Sequence, residues 1–281
     1  MMLRVQPAAG MQATVNGEVA DPQVWKVVIE GNSTFSDLVL KQAIATEAPT
    51  TWEKLSFWKR GNHELNRMEI RRDVVRIRRY YQRRGFPEVE VRSSITAGNR
   101  EWKRVVRFVI RENRPVTIRE INHEFNTSPK YREYITQSRS YQRQLKRKDF
   151  QLGERYQTIL EPDIVGQYTD LLRNLGFAFA DVSIDAQLDT LQASVDVTIT
   201  LTPGPLTYID RVHVFGARSV SEQYVIRESA LERTKLFSEE KLQDAQREIF
   251  NHHLFRFATI NLPDQPEDST LEVNINLREY P

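Results

Sequence analysis

The sequence predicts an α+β protein of three tandem β-α-α-β-β domains, each a three-stranded mixed sheet covered on one face by two helices, in an elongated array. Three observations predict it. One apolar strand spacing occurs three times, a helix with a single apolar face follows each copy, and two alternating runs follow each helix.

The first strand of each unit carries Val24, Val27, Ile29 and Gly31, then Ile118, Ile121, His123 and Phe125, then Ile209, Val212, Val214 and Gly216. Its last three positions alternate, which is the pattern of a strand with one buried face. A shorter helix fits next, clearest at Ser219 to Ser229 with Val220, Tyr224 and Ile226 and with Ser221 as its cap. The long helix comes third. Val74, Ile77 and Tyr81, then Val165, Tyr168 and Leu172, then Leu242, Ala245 and Ile249 keep the spacing that places three side chains on one helical face. Gly85-Phe86, Gly176-Phe177 and His253-Leu254 follow, a left-handed stop and an apolar residue that packs back.

The unit closes with a hairpin. Val89 and Val91, Val182 and Ile184, and Phe257 and Thr259 begin it. Turns at Ala97-Gly98-Asn99, Leu188-Asp189-Thr190 and Pro266-Glu267-Asp268 lead to Val106, Phe108 and Ile110, to Val197, Ile199 and Leu201, and to Val273, Ile275 and Leu277. Two helices return the chain to the side where the first strand began, so the first and third strands pair in parallel and the second strand is left on an edge. The units divide the chain into a flexible leader at 1–23 and domains at 24–113, 114–204 and 205–281.

Composition narrows the function. The 281 residues contain no cysteine, which excludes disulfides, thiolate nucleophiles and cysteine-bound metals. No apolar run reaches the ~18 residues of a membrane-spanning helix, and the stretch from Met1 to Pro22 lacks the pattern of a signal peptide. The near-neutral total of +2 conceals a gradient, since 1–23 carries −1, 24–113 carries +8, 114–204 carries −1 and 205–281 carries −4.

The strand ending Ile29-Glu30-Gly31-Asn32, the run from Arg72 to Phe86, its counterpart Leu171 to Phe177, and Leu236 to Phe255 together resemble polypeptide-transport-associated (POTRA) domains of the BamA/TamA outer-membrane assembly family. The likeness extends from about Val24 to the last residue, with Phe125 standing where the other copies have glycine. It implies the periplasmic part of an outer-membrane protein, followed by a β-barrel beyond this chain. It also implies three kinds of partner: unfolded β-barrel precursors, periplasmic accessory proteins or lipoproteins, and the protein's own barrel. A secretion or import channel is the alternative within transport.

No catalytic, cofactor-binding or metal-binding constellation is present. The histidines His63, His123, His213, His252 and His253 form no chelating pair at helical spacing, and nucleophile elbows, phosphate loops and dinucleotide fingerprints are missing. His123 aligns with Ile29 and Val214 and reads as an interior histidine with a satisfied hydrogen bond. The basic run from Arg71 to Arg84 suits a nucleic-acid scaffold less well than the solvated face of a helix whose other face is buried. Arg72, Arg76, Arg79 and Arg83 form its candidate patch for an acidic partner or anionic headgroups at a membrane surface. The candidate polypeptide-binding edges are the second strands, through Val89 and Val91, Val182 and Ile184, and Phe257 and Thr259, because an edge strand offers unpaired backbone groups to an extended client.

Overall fold

The computed structural model describes residues 14–15, 18–19, 21–55, 63–147, 150–231, 233–252, 254–262 and 269–280. The chain divides into two compact bodies, one of residues 1–116 with 155–158, the other of residues 117–154 with 159–281. His253 and the turn at Pro266-Glu267-Asp268 lie outside the described residues.

In the first body, β1 (Thr14–Val15) and β2 (Glu18–Val19) form a small antiparallel ribbon within the stretch expected as a leader. The first repeat follows as β3 (Gln23–Glu30), α1 (Asp37–Gln42), α2 (Thr51–Leu55), α3 (Arg67–Gln82), β4 (Glu90–Ala97) and β5 (Lys103–Arg111). In the second body, the second repeat is β6 (Thr117–Phe125), α4 (Pro129–Gln137), α5 (Arg139–Gln144), α6 (Glu161–Asn174), β7 (Asp181–Asp189) and β8 (Ser194–Thr202). The third is β9 (Tyr208–Phe215), α7 (Glu222–Ser229), α8 (Glu239–Asn251), β10 (Phe255–Asn261) and β11 (Thr270–Glu279). The order is strand, helices, strand, strand in each; among the described residues the first two repeats have one more short α-helix than the third, and a 3-10 turn at Thr158–Leu160 precedes α6.

The three sheets share one topology. Their orders are β3-β5-β4, β6-β8-β7 and β10-β11-β9, with the first strand parallel to the third and the second antiparallel to it. The central strands carry the deepest side chains: Val106 and Phe108, Val197 and Leu201, and Val273 and Ile275 are fully buried. The long helices lie against them. Ile77 and Tyr81 in α3, Leu172 in α6, and Leu242, Ala245 and Ile249 in α8 bury the predicted face. In α6 the face is turned slightly, so that Ile164 and Leu171 are buried and Val165 only half-buried.

Local chemistry sets the helix boundaries. Asn66 Oδ1 accepts from the amides of Met68 at 3.0 Å and Glu69 at 3.1 Å, capping α3, and Ser221 Oγ accepts from Tyr224 N at 3.2 Å to start α7. After α3 and α6, Gly85 (φ +90°) and Gly176 (φ +105°) adopt the left-handed region. Phe86 N then reaches back to Tyr81 O, and Phe177 N to Leu172 O, each at 3.1 Å. This is the helix stop that lets Phe86 and Phe177 pack into the core.

One expected register fails. A bulge between Phe255 and Phe257 adds a residue to β10. The side chains that point into the core are therefore Phe255 and Ala258, while Phe257 is half-exposed and Thr259 lies partly open. Ala258 pairs with Leu277 as Val91 pairs with Ile110 and Val182 with Leu201, so Ala258 is the structural counterpart of those two valines.

Candidate functional site

Among the described residues the second strands β4, β7 and β10 each pair on one side only, which leaves an edge beside the long helix of the same repeat. Val89, Val91 and Val182 are buried, and Ile184 is half-buried, so these side chains hold the edge strands in place and the backbone is what the edges can offer. Gln246 Nε2 on α8 donates to the carbonyl of Ala258 at 3.0 Å, which shows that this carbonyl points away from the ladder with β11. Alternate residues turn their backbone groups to opposite sides of a strand. Ala258 and Ile260 thus face the open edge, and Thr259 faces β11. Phe257 and Thr259 remain on the candidate strand, but the edge-facing backbone groups belong to their neighbours.

A groove of about 460 Å³ runs along this edge, lined by Gln243, Gln246, Arg247, Phe250 and Asn251 of α8 and by Ala258. Phe250 is half-exposed, and amides and a guanidinium accompany it. The groove therefore combines an apolar contact, side-chain hydrogen-bonding groups and an open strand edge, the components of strand addition.

The basic stripe of α3 divides into two halves. Arg72 donates to Glu69 at 3.1 Å, and Arg76 donates to both Glu69 and Asp73. The Arg76 hydrogen bond, with a further one from Arg72, holds the Glu69 carboxyl below the usual range against a smaller opposing effect of desolvation. Arg79 and Arg83 are exposed, and their guanidinium groups have no partner among the described residues. Asp73 was hidden from sequence reasoning by its basic surroundings. It is fully buried, and its two carboxylate oxygens accept from Ala45 N and Thr46 N at 2.9 Å each, tying the segment after α1 to α3.

Three histidines lie beside a hydroxyl or carboxylate partner. His123 Nε2 hydrogen-bonds the Tyr168 hydroxyl at 2.8 Å, as expected of an interior histidine. His213 and His252 lie 3.4 Å and 3.2 Å from Glu272 and Glu228. Among the described residues no group of three or more His, Cys, Asp or Glu side chains could hold a metal ion, and no described helix is long and apolar enough to cross a membrane.

Three sheets of one topology, each with its long helix and an edge strand, define an α+β protein of tandem repeats. Residues 22–113 match the family model "POTRA: Surface antigen variable number repeat". Over 92% of its length the chain is 18% identical to the outer membrane protein assembly factor BamA of Neisseria meningitidis, and over 91% it is 18% identical to a putative outer membrane protein assembly factor of Treponema pallidum. It spans 31% and 29% of those two proteins. Among solved structures, POTRA domains 3 to 5 of Haemophilus influenzae BamA match with a TM-score of 0.53 at 13% identity, covering 92% of this chain and 96% of that one. The chain therefore carries a POTRA match in its first repeat and homology to BamA along most of its length, and its three tandem β-α-α-β-β units have the fold of BamA POTRA domains 3 to 5.

Proposed function

We propose that this array is the periplasmic, polypeptide-handling region of an outer-membrane β-barrel assembly factor. It receives unfolded barrel precursors as extended strands at the edges of β4, β7 and β10, and it docks accessory proteins on its surfaces. The reading rests on one observation: the second strand of every repeat is an edge beside the long helix, and at β10 that edge borders an open groove. Pairing through backbone groups places little demand on client sequence, which suits a receptor for many precursors. The chemistry is binding and transfer, with no catalytic step. The exposed guanidinium groups of Arg79 and Arg83 supply a separate contact for an acidic partner, strengthened at low salt.

The test is site-specific crosslinking of an unfolded β-barrel precursor to the β10 edge. Ile260→Pro removes an edge-facing N–H while leaving the ladder with β11 intact, and it is expected to reduce crosslinking at least fivefold. The charge reversals Arg79→Glu and Arg83→Glu are expected to leave it unchanged. Full crosslinking by a folded Ile260→Pro protein would overturn strand addition at this edge.

A further inference from the structure

The second repeat contains a cavity of about 430 Å³ between α5, α6 and the sheet, within the range of roughly 300–1,000 Å³ usual for small-molecule sites. Ile121, Ile164 and Ile199 supply apolar surface, and Leu145, Arg147 and Asp163 stand exposed at its mouth. Among its lining residues are His123 and Tyr168, joined through Nε2 and the hydroxyl, and the amide pair Gln144 and Gln167, joined at 2.9 Å.

The other repeats fill the same strand position with hydrocarbon. His123 pairs with Ile199 as Ile29 pairs with Phe108 and Val214 with Ile275, and both Ile29 and Val214 are buried in packed apolar clusters. A cleft of about 310 Å³ beside α7 and α8 in the third repeat is lined by Lys241, Asp244 and Glu248 and has no imidazole or phenol. Only part of the polar capacity in the second repeat is used internally. The ring of His123 spends Nε2 on Tyr168, and Nδ1 has no hydrogen-bond partner among the described residues. Burial pushes the imidazole below its ordinary range, which favours the neutral ring. At the mouth Arg147 and Asp163 carry opposite charges and favour neither an anion nor a cation.

We propose that this cavity is a binding site for a small uncharged amphiphile with an apolar ring body and one hydroxyl, the rings against the isoleucines and the hydroxyl on His123. A hydroxyl both donates and accepts, so it satisfies Nδ1 in either tautomer. The site is separate from the strand edges, and it stands or falls independently of client binding.

Calorimetric titration of the full chain with 2-naphthol, naphthalene and 2-naphthalenesulfonate tests the assignment. Saturable one-to-one binding of 2-naphthol is expected, with naphthalene at least fivefold weaker for want of the hydroxyl and the sulfonate weaker still. His123→Phe keeps an aromatic ring and removes the nitrogen, and it is expected to lower 2-naphthol affinity about tenfold, the scale of one lost buried hydrogen bond. Should that variant not fold, amide shift mapping on the natural chain decides: shifts centred on Ile121, His123 and Tyr168 support the site, and shifts centred elsewhere overturn it. Absence of saturable binding, equal affinity for naphthalene and 2-naphthol, or unchanged affinity in folded His123→Phe would each overturn it as well.

Discussion

The first and third repeats leave their opening strand through a left-handed glycine, and the second repeat does not. Gly31 (φ +82°) and Gly216 (φ +87°) sit so close to the central strand that a Cβ would lie 2.0 Å from the carbonyl oxygens of Ile110 and Leu277. In both repeats a glutamate two residues further along the chain fastens the turn. Glu112 accepts from Thr34 N at 2.8 Å and from the Thr34 hydroxyl, while Glu279 accepts from Arg218 N at 2.7 Å and Ser219 N at 2.8 Å. In the second repeat Phe125 continues the strand, pairing with Leu201, and Asn126 N donates to Leu201 O at 2.9 Å. The residue two beyond Leu201 is Pro203. Glycine and glutamate therefore occur together or not at all in these three copies, which marks them as the two halves of one latch.

The strongest way to break that comparison is to add a methyl group at the glycine. Gly31→Ala and Gly216→Ala combine a forced left-handed backbone with a clash against a carbonyl, and each is expected to cost about 2–4 kcal/mol in urea unfolding. A cost below about 1 kcal/mol at both sites would show that the turn relaxes easily and that the latch is not a constraint.

Titration sharpens the glutamate half. Burial raises the Glu112 carboxyl, but hydrogen bonds from Thr34, Tyr81 and Ser33 together outweigh it and leave the group below its ordinary value of 4.5. The amides of Arg218 and Ser219 hold Glu279 below 4.5 in the same way. A carboxylate depressed in the folded state stabilises fully above its unfolded value and loses that contribution as pH falls through the folded one. The natural chain is therefore expected to lose more stability between about pH 6 and pH 3 than a Glu112→Gln, Glu279→Gln variant. Parallel curves for the two proteins would sink the claim.

The smallest effect concerns a support that, among the described residues, the first repeat alone has. Tyr81 donates its hydroxyl to Glu112 at 2.9 Å from inside the core, and burial, reinforced by that carboxylate, pushes the phenol above its usual range. Tyr81→Phe is expected to cost about 1 kcal/mol, measured as a shift in the unfolding midpoint. A neutral result would leave Thr34 as the essential partner of Glu112.

Much of this fold is legible in the sequence because the signals are local and repeated. Ile77 with Tyr81, Leu242 with Ile249, and Gly85-Phe86 with Gly176-Phe177 announce helix faces and stops through spacing alone. The latch is harder to see because its halves are far apart in the chain, Gly31 and Glu112 or Gly216 and Glu279. Phe125 stands out in the sequence as a departure, and only the pairing with Leu201 explains it. The candidate edges are legible as strands, yet the bulge after Phe255 defeats simple alternation because one extra residue reverses which side chains are buried. Arg72 and Arg76 look like free surface charge until the fold brings them to Glu69 and Asp73. The cavity beside His123 depends on the spaces between elements, which no periodicity records.

The bulge in β10 has a consequence for how copies of one domain diverge. From Phe257 onward the strand keeps the pairing used by its siblings, with Phe257 outward opposite Arg278 as Glu90 is opposite Arg111 and Asp181 opposite Thr202. The added residue is Arg256, whose exposed side chain extends what this sheet displays to its surroundings while the interior pairing stays in place. Duplicated domains can acquire separate outer identities by this route, since the residue that alters the exterior is the one the ladder leaves unpaired.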